Sequence, residues 1–100
     1  MVMGNPRHKI KVGKIYLVTT HSYPHYVEYQ HILKAICTNY YDCTFNVLAT
    51  QGTSVEVDKN FSLLTNSYSI KECVEVAKTD LPLYISWPQT SSKFAEVLHD

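Results

Sequence analysis

The chain has 100 residues with nine basic and nine acidic side chains, and a formal charge of zero. Its 45% hydrophobic and 12% aromatic content, with only three glycines and four prolines, belongs to a folding domain and not to a disordered tail. Zero net charge argues against a dedicated cationic clamp for nucleic acid, and the length makes a single domain the default.

Residues 1–13 read as a polar, basic lead-in, in which Pro6 and Gly13 bracket Arg7, His8, Lys9 and Lys11; residues 14–100 read as one globular domain. Ile15-Tyr16-Leu17-Val18, followed by Thr19 and Thr20, is β-branched, aromatic and aliphatic. It predicts a strand buried on both faces and central in its sheet. Pro24 ends that strand. From Tyr26 to Tyr40 two periods compete. As a helix, Tyr26, Tyr29, Leu33, Ile36 and Tyr40 fall at spacings of 3, 4, 3 and 4 and make one apolar stripe. As a strand, Val27, Tyr29, Leu33, Ala35 and Cys37 share one face. Strands usually run to about five or six residues, so length favours the helix.

Thr44 to Thr50 reads as the next strand, Gln51-Gly52 as a turn, and Ser54-Val55-Glu56-Val57-Asp58 as a half-exposed strand completing a hairpin. In the connection that follows, Phe61, Leu63 and Leu64 are expected to tuck inward. Ser69 and Glu72 make a capping box, and Ile70, Cys73, Val74 and Ala77 follow at helical spacing up to Asp80 and Pro82. Leu83-Tyr84-Ile85-Ser86-Trp87 reads as a buried strand stopped by Pro88. Ser92 then caps a short helix with Phe94, Val97 and Leu98 on one side. This order predicts an α+β fold, a two-layer ferredoxin-like βαββαβ sandwich with an extra C-terminal helix. If residues 26–38 are a strand, the alternative is a small all-β SH3-like barrel.

The cysteines Cys37, Cys43 and Cys73 are an odd number in apolar contexts, which favours inert free thiols in a reducing, cytoplasmic setting. No stretch approaches the about 20 apolar residues that cross a bilayer, and His8, Lys9 and Lys11 break up the start as a signal-peptide core. His21 and His25 have metal-ligand spacing, but no second matched pair accompanies them, so no metal or cofactor is expected. Neither a nucleophile motif nor a phosphate loop occurs, and no catalytic set is expected.

Ile15-Tyr16-Leu17-Val18 is similar to the first-strand motif of the RNA-recognition-motif family. The resemblance implies weak single-stranded nucleic-acid binding, with Tyr16 stacking a base and Arg7, Lys9, Lys11 and Lys14 meeting phosphates. The third-strand position departs from that family, since residues 54–58 hold two acids and no ring. Ala49-Thr50-Gln51-Gly52-Thr53 resembles the A-T-x-G-T turn of methylglyoxal-synthase-like domains. That would imply an α/β fold with Thr50, Gly52 and Thr53 holding a phosphate-bearing ligand at a helix N-terminus.

Six of the eight tyrosines lie in the first half, and tyrosine is enriched at interfaces. His21, Tyr23, His25 and Tyr26 in one loop, with Tyr40 and Tyr41 in the next, are therefore the expected partner-binding surface. The leading expectation is a non-enzymatic protein-binding module, an inhibitor or adaptor of the kind viruses and phages encode to act on a host protein. The zero charge is itself a cancellation: residues 1–50 carry five basic groups against two acidic, and residues 51–100 carry four against seven.

Overall fold

Ile15 to Val18 is apolar on both faces, and the fold buries both. In the computed structural model, which describes residues 10–22, 27–38, 42–52, 55–63 and 69–99, strand β1 (Ile15–His21) lies inside an antiparallel sheet. Its neighbours are β2 (Glu28–Thr38) and β5 (Ile70–Glu75). β2 also pairs with β3 (Cys43–Thr50), whose far edge carries β4 (Asn60–Ser62) at one end and β6 (Gln89–Thr90) at the other. The order is β4-β3-β2-β1-β5, with β6 off this path on β3. A 3-10 helix, Lys78–Tyr84, and α1 (Lys93–His99) follow the last long strand.

Period-two alternation divides the apolar residues between two cores. On one face Tyr16, Val18, Leu33, Ala35, Phe45 and Val47 pack with Phe61 and Leu63. Phe45 meets Tyr16 and Phe61 edge-on, with ring centroids 6.0 and 6.4 Å apart. Ile10 belongs to this core as well, so the domain takes in the end of the lead-in. On the other face Ile15, Ile32, Leu48 and Ala49 are covered by Leu81 of the 3-10 helix and Phe94 of α1. α1 is seated by the buried Ser91, whose hydroxyl accepts the Lys93 amide at 3.0 Å and donates to the Asp58 carboxylate. The capping role expected of Ser92 thus falls to its neighbour.

The sheet is interrupted where it must turn. Between β2 and β3 the register shifts at Ile32/Leu33, leaving Leu48 as the extra residue of a bulge. Cys43, Phe45 and Val47 face the first core; Leu48 and Ala49 both face the second. The alternation is thereby reset, and Thr50 comes back to the first face.

The βαββαβ arrangement is overturned, because all described ladders are antiparallel and neither expected internal helix forms. Residues 28–38 are the longest strand of the sheet. The helical spacing was a coincidence of register: Leu33 is buried in the first core, whereas Ile36, the extra residue at the shift between Ala35 and Cys37, is exposed. The capping-box segment is β5, in which Cys73 is opposite Val18 and Val74 opposite Leu17. The run at 83–87 is not a buried strand: it leaves the 3-10 helix with Leu83 69% and Ile85 49% exposed. Val55 and Val57 sit in a turn region, half-buried against the first core, and not in a strand. A strand at 26–38 was the premise of the barrel alternative, but no ladder joins β4 to β5 among the described residues, so the sheet is open. The α/β alternative fails on strand direction.

Candidate functional site

Of the expected partner surface, Tyr23, His25, Tyr26, Tyr40 and Tyr41 lie outside the described residues, as do Arg7 and Lys9 of the expected nucleic-acid set. His21 ends β1, half-buried, and its amide donates to the Ser69 carbonyl at 2.8 Å. Tyr16 is 3% exposed inside the first core and cannot stack on a base. Its hydroxyl accepts the Lys11 amide at 2.8 Å, and burial raises its phenol above the ordinary tyrosine value. The turn at Thr50 and Gly52 is committed internally: the Gly52 amide donates to Thr50 Oγ1 at 3.0 Å, and no helix follows. A phosphate there would have to displace that bond. Thr53 lies outside the described residues.

Sequence reasoning missed His31, which is completely buried. Nε2 lies 2.9 Å from the Thr20 hydroxyl and Nδ1 lies 2.7 Å from the Thr50 hydroxyl. A neutral imidazole has one donor and one acceptor, and two hydroxyls satisfy it in either tautomer. Desolvation pushes the ring's pKa down from 6.5 to about 4. The Leu48 bulge is what returns Thr50 to this face. The signal in sequence was the row Tyr29, His31, Leu33, Ala35, a period of two in which the histidine masks the apolar pattern. With no exposed atom surface, this histidine holds three strands together and does not reach a substrate.

The thiols are unalike. Cys43 is buried, Cys37 is exposed against expectation, and Cys73 is pushed up to about 11, first by burial and second by Cys43. Among the described residues no group of three metal-ligating side chains comes together, and no helix is long and apolar enough to cross a membrane.

The accessible site is an open cleft of about 240 Å³ where the second core meets solvent. Gly13 starts it. With φ at 91° it occupies a conformation that favours glycine, and its amide donates to the Ala35 carbonyl at 2.8 Å. That turn sets Lys14 at the cleft beside β2, where Lys34 is in register with Ile15. From the other side the Val76 amide donates to the Ile15 carbonyl at 2.9 Å, bringing Glu75 and Lys78 to the rim. Leu81 and Val97 close the apolar wall. Three lysines and one glutamate therefore line a cavity floored by aliphatic side chains. Lys71 pairs with Glu28 on the exposed surface, and among the described residues no ion pair forms at the cleft. Of the expected basic residues that are described, Lys14 takes part and Lys11 does not; Lys34, Lys78 and Glu75 carried no sequence signal because folding alone brings them together. No family model, curated protein or solved structure matches this chain.

Proposed function

We propose that the chain is a non-enzymatic binding module that receives an anionic group in this cleft. The observation that carries the reading is the grouping of Lys14, Lys34 and Lys78 around one cavity, with no ion pair there among the described residues and with the Glu75 carboxylate turned to the first core face, opposite Tyr16. Like charges gathered without pairing repel one another, and an anion relieves that repulsion. A non-catalytic role is supported by the burial of His31 between two threonine hydroxyls, which keeps its imidazole out of the cleft. The test is an amide-resolved NMR titration with inorganic phosphate. Shifts are expected at residues 13–15, 34 and 75–78, and Lys34→Glu is expected to abolish them. Unmoved amides in those segments at millimolar phosphate would overturn the reading.

A second reading, a protein partner, is favoured by a different feature. Leu83 and Ile85 are largely exposed at the end of the 3-10 helix, where Leu81 is buried and Tyr84 packs edge-on to Trp87 at 5.1 Å. An apolar knob held on a fixed base suits an adaptor or inhibitor surface. Pull-down from nuclease-treated lysate with wild type and Leu83→Ser tests it: a bound protein lost on substitution supports the reading, and retention unchanged by the substitution refutes it.

A further inference from the structure

We propose that the cleft selects a small phosphate monoester in its dianionic form, with the ester's short organic body against Ile15, Leu81 and Val97. This rests on the anion-binding reading and adds the ligand class. Three observations lead to it.

The first is charge. Lys14, Lys34 and Lys78 line the cleft, while Glu75, opposite Tyr16 in the ladder, directs its carboxylate to the first core face, so at least two positive charges stand uncompensated. A phosphate monoester carries about −1.5 to −2 at pH 7. Carboxylates and phosphate diesters carry one negative charge and leave the cleft undercompensated. The second is donor geometry. Among the described residues that line the cleft every cation is a lysine, which lacks the planar fork that matches a carboxylate. Ammonium groups are compact charges with three rotatable donors each, and they can converge on the oxygens of a tetrahedral phosphate.

The third is size and lining. At about 240 Å³ the cleft is a little smaller than the roughly 300–1,000 Å³ of pockets for drug-sized ligands. It is too small for a dinucleotide. Free phosphate would leave the aliphatic wall wet, whereas a short carbon body covers it.

The experiment is the NMR titration repeated at pH 7.5 with four probes: butyl phosphate, dibutyl phosphate, butyrate and inorganic phosphate. Butyl phosphate is expected to bind about tenfold more tightly than each of the others, the effect of one extra matched charge or of a few buried methylenes. Lys34→Gln and Lys78→Gln should each weaken butyl phosphate by several fold, while Lys93→Gln, on α1 outside the cleft lining, should leave it unchanged. Equal affinity for all four probes at the cleft amides overturns the phosphate-monoester inference and leaves the anion-binding reading standing. Absence of cleft shifts with every probe overturns both. A phosphoserine peptide binding more tightly than butyl phosphate also overturns it, because contacts beyond the cavity would then carry the affinity.

Discussion

His31 makes the stability of this fold depend on pH, by an amount that follows from its burial. The folded state keeps the ring neutral down to about pH 4, while the unfolded chain takes up the same proton near pH 6.5. Between those values the unfolded state binds more protons, so stability falls as pH falls. The contribution is fully present above pH 6.5 and is lost on approach to about pH 4. For a shift from 6.5 to about 4, linkage gives a loss of about 2 kcal/mol between pH 7 and pH 5. The perturbation that isolates it is His31→Gln, which keeps a donor and an acceptor between Thr20 and Thr50 but does not titrate. Urea unfolding of both proteins at pH 7, 6 and 5 is the assay. The variant should be the less stable at pH 7, by about 1–3 kcal/mol from imperfect hydrogen bonding, and the gap should shrink by about 2 kcal/mol at pH 5. Groups titrating alike in both proteins cancel in the difference. A gap that stays constant from pH 7 to pH 5 would refute the assignment of a buried neutral imidazole.

Phe94→Ala should cost about 3–5 kcal/mol in urea unfolding, since the ring is 1% exposed and is the main link between α1 and the sheet. Gly13→Ala should cost about 1–2 kcal/mol from backbone strain alone: φ is 91°, yet an added Cβ meets nothing within 4 Å. An effect below a few tenths of a kcal/mol in a melting curve would show that the turn relaxes. Maleimide labelling at neutral pH should modify Cys37 rapidly, Cys73 more slowly because its raised pKa keeps it a thiol, and Cys43 only after unfolding; fast labelling of Cys43 in the native protein would contradict its burial.

The parts of the fold visible in sequence are those whose local composition agrees with the element they form. β1 and β3 show continuous β-branched and aliphatic runs, and α1 shows Phe94, Val97 and Leu98 on one side. In the misread segments local pattern and strand pairing disagree. In β2, Ile32 faces away from Leu33 and Ala35, and a strand buried on both faces has no single period to read. Its 11 residues exceed an ordinary strand because the register shifts at Ile32/Leu33 and Ala35/Cys37 let it follow the curvature of the sheet. In β5, Ser69 and Glu72 mimic a cap, but the Ser69 carbonyl accepts the His21 amide and the segment zips onto β1. Local propensity lost to a ready-made edge, as it does where tertiary pairing is strong.

The cleft was illegible for a different reason. Charge counted along the chain separates a positive first half from a negative second half, which suggests a basic face made of neighbours in sequence. The fold does something else. Lys14 and Lys34 come from the positive half through the Gly13 turn and the β1–β2 register, and Lys78 comes from the negative half through the end of β5. Glu75 arrives with it. Its carboxylate, opposite Tyr16, faces the first core, so the excess of positive charge at the cleft has no counterpart in either half-chain sum. A cluster of this kind is a property of strand order: exchange β5 for any other neighbour of β1 and Lys78 leaves the site. That dependence is why the order β4-β3-β2-β1-β5, and not any motif, carries the functional argument.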